Sequence, residues 1–121
     1  FVKAAGGKVK GTVDGVDLLP MLKGGNLERD ALYWHYPHYS NQGGFPSGAI
    51  RIGDWKLVER YEDGRVHLFN LKDDIGERND VKEKHAERVN EMRAKLHAWC
   101  GEVDANFLQK KKGQEEEPWK P

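Results

Sequence analysis

The segment from Ala49 to Leu71 alternates polar and apolar residues with a period of two, and two turn signals interrupt it. AIRI leads into Gly53-Asp54, a tight reversal. WKLVERY follows, then Glu62-Asp63-Gly64, then RVHLFNL. Asp-Gly between alternating runs is among the strongest short hairpin signals, because both residues tolerate positive φ. Alternation gives each run one apolar face, so the runs must pair side by side to bury it. Trp55, Leu57 and Tyr61 share one face, with Lys56, Val58 and Arg60 on the other. Val66 and Leu68 point opposite to His67 and Phe69. The pattern predicts a three-strand antiparallel meander. ALYWHY, residues 31–36, is aromatic-rich and suits a fourth strand, which Pro37 ends or confines to an edge.

Beyond the meander the period changes. Val89, Met92, Leu96, Trp99 and Val103 recur at spacings of three and four, one apolar stripe on a helix. Asp80 and Glu83 fit a capping box that opens it. Glu83, Lys84, Glu87, Arg88, Glu91, Arg93 and Lys95 fill most of the remaining surface. The fold class expected is α+β: an antiparallel sheet of about four strands with a C-terminal amphipathic helix packed on one face. Upstream, residues 1–30 read as a lead-in and linker. Residues 1–13 are rich in Gly, Lys and Ala. DGVDLLPMLKGG then makes a short turn, capped by Asp14 or Asp17 and stopped by Gly24 and Gly25. Residues 31–105 form the folded unit. Residues 106–121, with their KKK and EEE blocks, read as a disordered charged tail.

Charge narrows the function. Lys+Arg equals Asp+Glu at 20 each, which argues against a nucleic-acid partner. No apolar run approaches a membrane span, so no membrane partner is expected, and FVKAAGGKVKGTVDGVD lacks the apolar core of a signal peptide. The single cysteine, Cys100, has no partner for a disulfide. In LHAWCGEV it reads as a half-buried helix residue rather than a nucleophile.

YWHYPHY, residues 33–39, packs four rings and two histidines into seven positions. Four readings compete. As a metal site, His35 and His38 are too few ligands, and no third or fourth follows at zinc spacing. As acid or base, either histidine can move protons, but Ser40 and Ser47 lie in a glycine-rich loop without an elbow motif. As a ligand platform, Tyr and Trp supply stacking surfaces with polar tips and His adds a hydrogen bond. As plain structure, Tyr33 and Trp34 are mostly core and the rest decorate an edge. Arg51, Lys56, Arg60 and Arg65 read as edge protection, with a cationic rim for an anionic substrate as the sharper alternative.

The order DGVDLLPMLKG, ALYWHYPHY, GAIRIGDWKLVERYEDGRVHLFNLKDDIGERNDV and a final amphipathic helix resembles the C-terminal subdomain of arylsulfatase-type sulfatases, in the alkaline phosphatase-like superfamily. The resemblance runs from about Asp14 to about Trp99. Its most specific part is I-R-x-G-D-W-K-L followed by L-F-N-L-x-x-D-x-x-E. It implies hydrolysis of sulfate esters by the parent enzyme, with a formylglycine made in a C/S-x-P-x-R motif and a calcium ion held by Asp and Asn or Gln. Neither the motif nor the calcium ligands occur here, so no cofactor and no catalytic residue are assigned to this chain. Alone it is expected not to hydrolyse sulfate esters. Where many relatives have D-P-x-E in the exit turn, this chain has Asp74-Ile75-Gly76-Glu77, with Gly76 supplying flexibility.

The resemblance implies that His35, Tyr36 and His38 are pocket-rim residues positioning an anionic or sugar-bearing substrate. It implies as partners the N-terminal catalytic domain and a sulfated small molecule or glycan, and as location the periplasm or exterior. The alternatives are a stand-alone binding or self-assembly module, pairing with a partner such as a second copy, and a small metal-dependent enzyme using His35 and His38.

Overall fold

A computed structural model describes residues 1–27, 29–110, 112, 113, 115, 117 and 119. The chain divides into two units, Phe1–Asp30 and Ala31–Pro121.

Within the first unit, residues 1–13 hold turns but no helix or strand. One helical turn, α1 (Leu19–Leu22), follows. Asp17 Oδ1 accepts from the Leu19 amide two residues on at 3.1 Å, an Asx turn ahead of the helix, whose N-cap Leu18 supplies no side-chain cap. The turn ends where Gly24 takes φ 84 and the Gly25 amide returns to the Pro20 carbonyl at 2.9 Å. α1 buries no residue, and Leu18, Met21 and Leu22 remain exposed.

The second unit is the α+β sandwich the periodicity predicts. Strands β1 (Leu32–Tyr36), β2 (Ser47–Ile52), β3 (Trp55–Arg60) and β4 (Val66–Asn70) form one antiparallel sheet in the order β1-β2-β3-β4. Gly53 takes φ 58 between β2 and β3, the sign a two-residue II′ hairpin asks of its first residue. The β3–β4 connection spans residues 61–65, and only Gly64 (φ 69) enters the left-handed region there. Register stacks Tyr33, Ile50, Leu57 and Leu68 in one row and His35, Gly48, Glu59 and Val66 in the next, all on the inner face.

Helix α2 (Ala86–Glu102) covers that face. Val89, Met92, Leu96 and Cys100 close the core over Ile50, Leu57 and Leu68. Each fully buried aliphatic side chain contributes roughly 1.5 to 3 kcal/mol. Tyr33 and Trp99 stack at 4.8 Å along the side of this core. The stripe expected from sequence holds, except that Cys100 is buried while Val103 is 51% exposed.

The helix start differs from the capping box. Asp80 caps no α-helix. Its Oδ1 accepts from the amides of Leu68 and Lys82, at 3.1 and 3.0 Å. A single 3-10 turn, Lys82–Lys84, intervenes, and α2 begins after His85 without a side-chain cap. The carboxylate is drawn instead to the free edge of β4. The Val81 amide donates to the Leu68 carbonyl at 2.9 Å, and Lys82 Nζ reaches the Val66 carbonyl at 3.2 Å. That edge is thereby closed, whereas the outer edge of β1 makes no backbone hydrogen bond among the described residues.

The exit turn also differs in detail. Glu77, not Gly76, takes the left-handed conformation, at φ 53. Asp74 Oδ2 holds it by accepting from the Arg78 and Asn79 amides at 2.8 and 2.7 Å, and Glu77 pairs with Lys56 at 2.6 Å. The charged tail expected over 106–121 falls in part outside the described residues.

Candidate functional site

β1 presents alternate residues to opposite faces, and this separates the three site residues expected from sequence. His35 points inward. Its Nδ1 lies 2.7 Å from the Tyr61 hydroxyl and its Nε2 lies 2.7 Å from the Asn106 carbonyl oxygen. A carbonyl only accepts, so Nε2 carries the proton and donates to it. In the neutral ring Nδ1 then accepts from the Tyr61 hydroxyl. Both nitrogens are spent, and the ring ties β1 to the β3–β4 connection and to the segment after α2. Phe107 packs edge-on against both His35 and Tyr61, at 5.0 Å from each.

Tyr36 points outward and is 48% exposed. Its ring meets His38 in a T-shaped contact at 5.6 Å, just past Pro37. The structure therefore brings Tyr36 and His38 together and leaves His35 on the other side of the sheet. Trp34 shares the outer face with Tyr36 and is also 48% exposed. Reading it as core fails because Tyr33 and His35 occupy the inward positions of β1.

A second cluster joins the loop after β1 to the β3–β4 connection. The Tyr39 hydroxyl donates to Glu62 Oε1 at 3.1 Å, and Arg60 pairs with Glu62. The Arg60 guanidinium sits 4.4 Å over the Phe45 ring. Its Nε is buried without a hydrogen-bond partner among the described residues. The Glu62 carboxyl is lowered from its usual range first by Arg60 and then by Tyr39. Sequence parity put Arg60 on the outer face but gave no sign of this cluster, because the contacts cross between loops.

The arrangement offers stacking surfaces, hydrogen-bond donors and one cation at one end of the sheet. Among the described residues no group of three or more His, Cys, Asp or Glu side chains gathers to hold a metal. His35 is bonded at both nitrogens and lies on the opposite side of the sheet from His38. No described helix is long and apolar enough to cross a membrane.

Known proteins resemble this chain in both sequence and fold. A sulfatase of Formosa agariphila is 31% identical over 72% of the chain, which covers 18% of that enzyme. The structure of BT4656 in complex with its substrate D-glucosamine-2-N,6-O-disulfate superposes with a TM-score of 0.70 and 26% identity, over 87% of this chain and 23% of that one. Ps i-CgsB in complex with k-i-k-neocarrahexaose gives 0.66 and 26%, over 81% and 22%. No protein-family model matches. The chain is similar to the sulfatases, and spans about a fifth of the length of the relatives it matches. Within them it resembles the C-terminal subdomain of the arylsulfatase type, a four-stranded antiparallel sheet under one helix.

Proposed function

We propose that this chain serves as the C-terminal subdomain of a sulfatase, completing the catalytic domain and lending residues to its substrate pocket. The observation that carries the reading is the match of 87% of the chain, at a TM-score of 0.70, to a structure solved with a disulfated glucosamine. A sulfated sugar is accordingly the proposed substrate class. Tyr36 and His38 touch it from the rim, and His35 fixes the strand end behind them. Positioning of this kind contributes to rate without proton transfer. The catalytic domain supplies formylglycine and calcium, so the chain alone does not turn over sulfate esters. The parent acts in the periplasm or outside the cell.

The test is a sulfatase carrying this subdomain in its full-length form, assayed on sulfated monosaccharides with His38→Ala beside the parent. KM rises about tenfold if a rim hydrogen bond worth about 1.4 kcal/mol is lost. Unchanged kinetics on every substrate would remove the recognition role.

Exposure of Leu32, Trp34 and Tyr36 on the outer face favours a second reading, a self-assembling module. Light scattering of the isolated chain separates them: a strict monomer at high concentration excludes assembly.

A further inference from the structure

We infer that the inner end of the sheet carries a socket for a flat aromatic ring, and that the chain's own Trp119 fills it. Four groups form the socket. The Tyr61 ring lies parallel to the indole, 7° from coplanar, with centroids 6.0 Å apart. The His97 ring stands at 5.8 Å, tilted by 53°. The Arg93 guanidinium lies 5.6 Å over the indole, a cation against an electron-rich face. Gly64 forms the wall. A Cβ there would come within 2.8 Å of the indole carbons Cδ1 and Cε2.

Each of these groups is held in place without the indole. Tyr61 is fixed by His35. Glu59 holds Arg93 Nε and His97 Nε2, each at 2.6 Å. Arg93 Nη2 also reaches the Gly64 carbonyl at 3.3 Å. The socket is therefore pre-organised by the core, and occupying it costs little ordering of its walls. The intervening sequence LQKKKGQEEEP has one apolar residue, so Trp119 is the side chain there with a large apolar surface to gain by docking. Docked, it covers the rim of the Glu59–Arg93–His97 cluster, and its release opens that cluster to water.

Nuclear magnetic resonance of the full chain tests this through ring-current shifts. In wild type, Gly64 and His97 carry the shift of the overlying indole. Trp119→Ala loses it, Trp119→Phe keeps a smaller part, and the amide signals of β2 and β3 stay put as the folding control. A chain ending at Lys112 is then titrated with N-acetyltryptophanamide. The Gly64 and His97 signals move saturably toward their wild-type positions, while the full-length chain, its socket filled, does not respond. Identical Gly64 and His97 signals in wild type and Trp119→Ala overturn the proposal. So does a response of the shortened chain confined to other residues, or an equal response from both chains.

Discussion

Glu59 and His97 stand 38 residues apart in sequence and meet at 2.6 Å. Glu59 is wholly buried on the inner face of β3, and its other oxygen accepts from Arg93 Nε at 2.6 Å. Arg93 and His97 are one helical turn apart on α2, so a single carboxylate grips the helix at two points. The greasy residues of α2 hold it to the sheet, and this grip selects its rotation. A buried ion pair adds little net stability, but losing one member strands the other.

Glu59→Gln is therefore expected to cost about 2 to 3 kcal/mol, below the range for fully buried pairs because Arg93 is 35% exposed. Replacing Glu59 and Arg93 together by leucine recovers most of that loss. Urea unfolding of the three proteins measures both effects, and a single-variant loss under about 0.5 kcal/mol would deny the grip any role.

Gly48 lies in register between His35 and Glu59, directly beneath the Tyr61 hydroxyl. A Cβ at Gly48 would collide with that oxygen and stand 3.4 Å from Leu96 Cδ2. Gly48→Ala is expected to destabilise by about 1 to 3 kcal/mol, as overpacking does. It also breaks the His35–Tyr61 hydrogen bond, which a changed His35 ring signal reports by nuclear magnetic resonance.

Asp80 makes the fold sensitive to acid. Burial acts to raise its pKa, but the amides of Leu68 and Lys82, with the His67 and Lys82 side chains, outweigh that and lower it from 3.8 to about 2. A lowered folded-state pKa gives stability that is fully present above the unfolded value. That stability fades as pH falls from about 4 through about 2. With its partial exposure the contribution is roughly 1 kcal/mol. Asp80→Asn should lose the same amount at neutral pH and show a flatter stability profile between those limits, measured by unfolding at successive pH values.

Cys100 is 3% exposed, and burial raises its thiol pKa. Ellman's reagent should label it about two orders of magnitude more slowly than in denaturant, the protection given by a local opening of about 3 kcal/mol. Rapid labelling of the folded chain would show that the end of α2 is open.

The meander was legible because Gly53-Asp54 and Asp63-Gly64 punctuate runs whose parity is plain, and the helix because Val89, Met92 and Leu96 keep one stripe. Glu59 was not. Its parity matches Leu57 and Tyr61, but a carboxylate argues for solvent until its partners, more than thirty residues away, are known. Asp80 misled for a related reason: a D-x-x-E pattern describes a helix start only when no strand edge competes for the carboxylate. At the candidate site, the crowding of rings over residues 33–39 was visible in the sequence. Their division between two faces of β1 was decided by the inward packing of Tyr33 on Trp99, a tertiary contact. The Tyr39–Glu62–Arg60 cluster joins two loops and left no local pattern to read.

The closure of β4 by Asp80, Val81 and Lys82 has a topological result. With one flank sealed, the free sheet edge among the described residues is the one beside Leu32–Tyr36. Two copies joined there would each cover the other's open edge, which favours a closed pair over continued edge-to-edge growth.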